Sequence, residues 1–409
     1  MSQTLGLFEG FGIEIEYMIV DQTTLDVMPI ADTLLKTTKG DYVNEVEHGP
    51  IAWSNELALH VIEQKTNGPA EILGPLVGHF HRGIDEINSK LESSGAKLMP
   101  TAMHPWMNPA TDMKLWPHGY DEIYAAYHRI FDCRGHGWTN LQSMHINLPF
   151  NGNEEFTRLH AAIRVVLPLL PMLAASSPFA DGCDTGYSDY RMQTYRHNAK
   201  RIPSITGRVV PEAVNGIDDY RQTILAPMYA DIAPFDTDGI LQEEWLNSRG
   251  AITRFDRSAI EIRVLDTQES PHADIAIAAA TVALVREIAD EKHAGIINLN
   301  AFDTDALARL LLEGIEHGEK ARIDDRAYLE FFGLRRFGSL TAQKLWAKLI
   351  ERTPPTDSQL DQPLHNILAN GTLATRIRRA CGKQPQHTKL MDVYRILVEC
   401  LGTGTLFYS

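Results

Sequence analysis

The stretch Phe11-Gly-Ile-Glu-Ile-Glu-Tyr-Met-Ile-Val20 decides the fold of this chain. It alternates. Ile13, Ile15, Tyr17 and Ile19 share one face of an extended strand, and Gly12, Glu14, Glu16 and Met18 share the other. Carboxylates two residues apart on a strand sit about 7 Å apart at the backbone. Anions that close are costly unless a cation or a basic side chain lies between them. A half-solvated sheet face with Lys or Arg partners meets that need in the ordinary way. A divalent-metal platform on a rigid strand meets it in a sharper way, and it gains weight because polar-faced strands recur along the chain.

Tyr42-Val-Asn-Glu-Val-Glu47 alternates, His48-Gly49-Pro50 turns, and the chain returns through Ile51 to Trp53. Residues 57–66 read as a strand on which Leu59, Val61, Glu63 and Lys65 share a face. Glu56 and Glu63 are seven apart and would face opposite ways on an uninterrupted strand; a loop at Glu56 or a bulge would let both face one site. Residues 141–150 alternate again, with Ser143, His145 and Asn147 opposite Met144, Ile146 and Leu148. In residues 258–266, Ile260, Ile262 and Val264 point one way and Glu261, Arg263 and Leu265 the other. Glu261 and Arg263 either pair with each other or act as a metal ligand beside a phosphate-binding arginine.

Helical spacing of Leu76, Phe80, Ile84, Ile87 and Leu91 predicts a helix over 75–94, closed by Gly95. A short strand at 97–102, a Trp- and His-rich loop at 106–119 and a helix at 121–131 follow. Residues 154–176 predict an apolar helix on the back of the sheet, kinked or broken at Pro168 and Pro171. The loop 176–191 combines glycines, hydroxyls and Arg191. It reads either as an anion cradle or as a helix-terminal turn with an exposed arginine. Arg196, Lys200, Arg201 and Arg208 form a dense basic cluster beside it. Residues 211–247 are acidic and irregular, an excursion or lid with some helix. An apolar helix is expected at 274–292, and further helices near 304–317, 325–332, 341–352, 358–369, 373–381 and 386–401. The expected fold class is α+β: a mostly antiparallel sheet with a polar active-site face, helices on the other face and a helical C-terminal region. A catalytic domain over 1–300 would carry residues 301–409 packed on it, not as an independent domain.

The 409 residues, 44% hydrophobic and 22% charged, suit a globular chain with a sizeable core. The net charge of −15 argues against a nucleic-acid or anionic-membrane binder. No apolar run reaches the roughly 18 residues of a membrane span, and the first residues lack the pattern of a secretory signal. The four cysteines are dispersed with no C-x-x-C spacing, which suits reduced thiols in the cytoplasm and not a disulfide framework. Small-molecule substrates are the expected partners. The apolar helices would bury either a homodimer interface or only the core.

Glu14, Glu16, Glu63, His145, Glu261 and Arg263 therefore lie on faces that could converge, with Glu56 nearby. Hard oxygen ligands with one imidazole suit Mg²⁺ or Mn²⁺ better than zinc. Several carboxylates holding more than one such ion suit phosphoryl transfer from ATP. No G-x-x-x-x-G-K-[ST] or G-x-G-x-x-G opens a helix, so a nucleotide site would be of a metal-on-sheet type.

These segments resemble, in order, the motifs of glutamate–cysteine ligase family 2, bacterial carboxylate–amine ligases of the glutamine synthetase-like (guanido kinase-like) catalytic fold. Gly12-Ile-Glu-Ile-Glu16 resembles its Gly-x-Glu-x-Glu strand. Glu56 and Glu63, with Thr66, resemble its E-x6-E motif. Thr101-Ala-Met-His-Pro105 resembles its G-T-H-P turn loosely, and His145 occupies the His-containing strand. Ser176-Ser-Pro-Phe with Gly182, Gly186 and Arg191 resembles the S-P-F…G…S-x-R block, and Ile260-Glu-Ile-Arg-Val-Leu-Asp266 the E-V-R-x-x-D strand. The resemblance spans residues 8 to 290. His145 stands alone where many members carry His-x-His, the G-T-H-P turn has an insertion and no glycine, and residues 208–250 match no motif.

The resemblance implies Glu14, Glu16, Glu63, His145 and Glu261 as Mg²⁺ ligands. Glu56 would be a ligand or would orient the substrate amine. It implies that Arg263 contacts the transferring phosphate, that Arg191 and Arg201 bind substrate or phosphate, and that Ser177 lies with the nucleotide. The implied reaction activates a carboxylate, typically the γ-carboxylate of glutamate, as an acyl phosphate with ATP, and an amine such as cysteine then forms the amide. Two other outcomes are kept open: a different metal-dependent hydrolase or phosphotransferase on this scaffold, and a non-catalytic relative that binds a metabolite or partner.

Overall fold

Strand β1 (Gly12–Asp21) runs through the middle of an eight-stranded antiparallel sheet in the computed structural model, which describes residues 4–290, 299–382 and 384–409. The other strands are β2 (Glu45–His48), β3 (Ile51–Asn55), β4 (Val61–Thr66), β5 (Ala96–Met99), β6 (Ser143–Pro149), β7 (Ala251–Arg254) and β8 (Ala259–Asp266). Their order is β2-β3-β4-β1-β6-β8-β7, and β5 pairs with the far half of β1. The register fixes which side chains meet. Glu16 lies opposite Glu63, and Glu63 opposite Ser54. Glu14 lies between Lys65 and His145, and Asn147 between Gly12 and Glu261. Paired residues share a face, so all of these point to one side.

On the other side Ile13, Ile15, Tyr17 and Ile19 are fully buried. They enter one hydrophobic cluster with the apolar faces of α1 (Leu76–Leu91), α3 (Gly152–Val166) and α4 (Pro271–Ala289). Helix α4 is apolar nearly all round because it is buried nearly all round. Its predicted end at residues 291 and 292 lies outside the described residues. Helix α3 ends where Pro168 predicts a break: a 3₁₀ turn occupies Leu167–Leu169 and a short helix restarts at Pro171–Ala174. Helix α2 (Asp121–Phe131) crosses above the polar face. C-terminal helices α5 (Thr304–His317), α6 (Ala342–Arg352), α7 (Leu373–Cys381) and α8 (His387–Thr403) fall close to their predicted positions.

The polar face is polar only as far as Glu16. Beyond it Met18 and Val20 project to the same side, and they form a second hydrophobic cluster with Met99, Phe179, Ile377 and Tyr394. Helices α7 and α8 therefore close one end of the sheet face.

Four local expectations change. The predicted strand 57–66 begins only at Val61: the amides of Leu59 and Trp116 bond to Lys114 and Leu57 carbonyls, which ties 57–59 to a distant loop. The hairpin strand likewise starts at Glu45, not Tyr42. The loop 106–119 contains a short helix, Pro109–Asp112. In β8 a bulge between Ile262 and Leu265 inserts one residue, so Leu265 pairs with Met144 on the apolar side and Asp266 with Ser143 on the polar side. Residues 211–247 keep the expected mixture of irregular chain and some helix, including Ala226–Ile232. Among the described residues no helix is long and apolar enough to cross a membrane.

Candidate active site

A cleft of about 810 Å³ lies on the polar face of the sheet, at the upper end of the range for small-molecule sites. Its floor carries Glu14 and Glu16 from β1, Glu63 and Lys65 from β4, His145 from β6, and Glu261 and Arg263 from β8. Gly12 makes the floor tight: a Cβ there would sit 2.9 Å from Asn147 Cβ. Glu56 joins from the loop after β3, which settles how residues seven apart reach one site.

His145 is the hub. Its Nδ1 lies 3.0 Å from Glu14 Oε2 and 3.7 Å from Glu261 Oε1, and its Nε2 lies 2.9 Å from Ser143 Oγ and 3.8 Å from Glu16 Oε1. Burial disfavours its charge, but the hydrogen bond to Glu14 and the charges of Glu261 and Glu16 prevail and push its pKa up to about 9. Burial also opposes ionisation of Glu14, yet His145 holds that carboxyl well below the usual range. Asn147 Nδ2 donates to Glu14 Oε1 at 3.0 Å. The Ser143 amide donates to Glu16 Oε2 at 2.7 Å, and burial still raises Glu16.

The remaining carboxyls lack enough positive charge. Glu63 accepts from Ser54 Oγ at 2.6 Å and lies 3.6 Å from Lys65 Nζ, but burial and the charge of Glu14 push it up to about 8. Glu56 is raised well above its usual value by burial and by Glu16, Glu63 and Glu14. Among the described residues, two ligand sets lie close enough to hold an ion: Glu14, Glu63 and His145, and Glu16, Glu56 and Glu63. Within each, one ligand atom per residue lies within 4.8 Å of the others. Glu63 belongs to both. Oxygen-dominated sets with surplus buried negative charge fit Mg²⁺ or Mn²⁺.

Glu261 is engaged differently. Arg263 closes on its Oε1 with two donors, and Arg254 Nη1 lies 3.4 Å from Oε2. Burial opposes its charge, but Arg263 outweighs that and lowers its pKa. It stands beside the ligand sets and anchors two arginines.

Three other expected site residues are placed differently. Arg191 reaches the cleft wall, but its Nε donates to Asp266 Oδ1 at 2.6 Å and its Nη1 to the Arg263 carbonyl at 3.3 Å. The β8 bulge supplies that partner by turning Asp266 to this side. Ser177 is fully buried and donates to Asp266 Oδ2 at 2.8 Å, away from the cleft. Arg201 donates to the Ile130 carbonyl and lies over the Phe235 ring, also outside the cleft. The loop 104–118 does not line the cleft, whereas Trp245 from the 208–250 segment does. Lys65, Arg254 and Arg257 line it too. Lys65 was readable from its alternation with Glu63; Arg254 ends a four-residue strand whose pairing carries no sequence signal, and Arg257 lies in the turn after it.

Comparison with known proteins places this geometry. The model of the glutamate–cysteine ligase family 2 matches residues 10–395. An uncharacterized protein of Archaeoglobus fulgidus is 35% identical over 333 residues, 79% of this chain and 88% of that one. A Nocardioides protein named "Putative glutamate–cysteine ligase 2-1" is 25% identical over 68% of each chain. Among solved structures, glutamate–cysteine ligase from Francisella tularensis in complex with AMP superposes with a TM-score of 0.60 at 12% identity, covering 98% of this chain and 90% of that one. The bifunctional glutathione synthetase from Pasteurella multocida superposes with a TM-score of 0.63 at 13% identity; it covers 97% of this chain, which spans about half (53%) of that enzyme. The two structures share the fold, and the family match over most of its length makes this chain a member of glutamate–cysteine ligase family 2.

Proposed function

We propose that this protein is an ATP- and divalent-metal-dependent carboxylate–amine ligase whose donor is the γ-carboxylate of glutamate. The observation that carries this reading is Glu63, shared by two ligand sets in a cleft that Arg263 also lines. Bound Mg²⁺ or Mn²⁺ would offset the phosphate charge of ATP and help hold the transferring phosphoryl group. Glu14, Glu16, Glu56, Glu63 and His145 would hold it. In the first step a carboxylate oxygen takes the γ-phosphoryl group and ADP leaves. In the second the amine nitrogen bonds to the acyl carbon, the C–O bond to phosphate breaks and phosphate departs. The nitrogen gives up one proton, which solvent or a cleft carboxylate takes up.

Burial disfavours the charge of Arg263, but Glu261 outweighs it and raises the pKa of the guanidinium. It is therefore a fixed positive group for the transferring phosphate. The free state of all four cysteines supports a reducing, cytoplasmic setting.

The test is ADP release from ATP and Mg²⁺ with L-glutamate against a panel of amines, with Glu63→Gln as control. Amine-dependent release that the control loses, with a γ-glutamyl amide in the mass spectrum, is expected. Absence of metal-dependent ATP binding by thermal shift would sink the reading.

A further inference from the structure

The two walls of the cleft differ in charge. Five cations line the floor of the cleft and its margins, Lys65, Arg254 and Arg263 from strands, Arg257 from a turn and Arg191 from the short helix Tyr190–Tyr195, and each faces a carboxylate of the chain. Lys65 Nζ lies 2.6 Å from Glu45, Arg191 Nε 2.6 Å from Asp266, and Arg254 Nη1 3.4 Å from Glu261. Arg263 also pairs with Glu261, and Arg257 Nε lies 3.7 Å from Asp256 at the β7–β8 turn. Arg257 is the loosest of the five and suits the donor's remaining carboxylate.

The roof has no such groups. Tyr124 and Tyr127 of α2 face down, with Trp138 and Trp245 beside them. The Tyr127 ring centroid lies 5.4 Å from that of Trp138 and 6.0 Å from that of Trp245. Among the described residues that line the cleft, the roof supplies no Lys or Arg, and its charged groups are Glu243 and Glu244. Trp245 and these two glutamates come from the 208–250 segment, which carries none of the motifs on the sheet. Shared chemistry lies on the sheet, so the segment outside the motifs is where this chain's own acceptor is read.

An α-amino acid acceptor carries a carboxylate one carbon from its reacting nitrogen. Under this roof that carboxylate would lose water beside two glutamates that repel it, and the arginines within reach, Arg263 near Tyr127 and Arg254 near Glu244, are already paired with Glu261. A flat or extended apolar body would instead cover half-buried aromatic surface. We infer that the acceptor is a carboxylate-free primary amine with an aromatic or extended apolar body lying on Tyr127, Trp138 and Trp245. This inference rests on the ligase reading above, and the nitrogen displaces phosphate as described there.

The experiment uses acceptor pairs that differ only in the carboxylate: tyramine against tyrosine, and cysteamine against cysteine. ADP release and product mass are measured with ATP, Mg²⁺ and glutamate. The expected result is a kcat/KM at least about tenfold higher for the amine in each pair, with tyramine above cysteamine. Glu243→Lys, a change at an exposed side chain, is expected to narrow both ratios. A better result with cysteine or tyrosine overturns the inference and leaves the ligase standing. If nothing turns over, tryptophan fluorescence decides. Quenching by tyramine but not tyrosine, reduced in Trp245→Phe, upholds the subsite while the ligase reading falls. Equal quenching by both, or by neither, overturns the subsite.

Discussion

Glu63 separates this site from an ordinary acidic sheet face. It is the one carboxylate in both ligand sets, so Glu63→Gln is expected to weaken Mg²⁺ or Mn²⁺ binding more than any other single change, by about tenfold to a hundredfold. Calorimetric titration of Mn²⁺ checks this, and a larger loss from Glu261→Gln would contradict it. Protons and metal compete here. Glu63, pushed up to about 8, and His145, pushed up to about 9, hold protons at neutral pH that a metal must displace. Metal affinity should therefore rise steadily from pH 6 to 9, with proton release on binding. A pH-independent dissociation constant would be incompatible with that arrangement. Ser177→Ala removes a buried hydroxyl that donates to Asp266; a stability loss of about 1 kcal/mol with unchanged ATP affinity is expected. Denaturant midpoints and nucleotide titration read the two effects separately. At this scale alternation was a good guide, because a period of two puts Glu14, Glu16 and Glu63 on one face whatever else the chain does. It was a poor guide to Ser177 and Arg191. Their sequence neighbours look like an anion loop, and the carboxylate they serve comes from a strand 75 residues later than Arg191.

That strand owes its chemistry to an irregularity. Straight alternation along β8 puts Leu265 in the cleft and Asp266 in the core. The bulge reverses both, and Asp266 becomes a buried anchor for Arg191, Ser177 and the Ser176 amide. The same bend carries Arg263, whose carbonyl accepts from Arg191 and whose amide donates to Gly250. Asp266→Asn should therefore cost about 3–5 kcal/mol, because it strands a buried guanidinium, and should displace Arg263. The measurement is the urea midpoint, taken together with ATP affinity. A stable variant with weakened ATP binding would still agree with the bend's role in placing Arg263. An Asp266→Asn protein unchanged in both would remove that role. The helices were easier to read than this strand. Periodicity, Gly95 and the two prolines mark them locally, whereas a bulge and the loss of 57–60 from β4 depend on partners far away in sequence.

At the scale of the whole molecule, the C-terminal helices complete the sheet. Met18, Val20 and Met99 would be open to solvent without α7 and α8. The tail also supplies buried polar partners. Glu269, fully buried, receives the Arg376 guanidinium and the Phe407 amide. Trp346 Nε1 donates to the Leu169 carbonyl at 3.0 Å, and the Ala374 amide to Ala175 at 2.9 Å. A fragment of residues 1–300 would expose apolar strand and leave Glu269 without these donors, and a buried unpartnered charge costs several kcal/mol by itself. We therefore expect residues 1–300 alone to lack a cooperative unfolding transition. The full chain should unfold in one step, with fluorescence and circular dichroism coincident. A 1–300 fragment that unfolds cooperatively and binds Mn²⁺ as the full chain does would make the tail an accessory. Separate transitions in the full chain would make it a second domain. If instead both parts melt together, closure of the sheet face beyond Glu16 is a condition for holding five buried or half-buried carboxylates in the cleft, because the strand that positions Glu14 and Glu16 is the strand the tail covers.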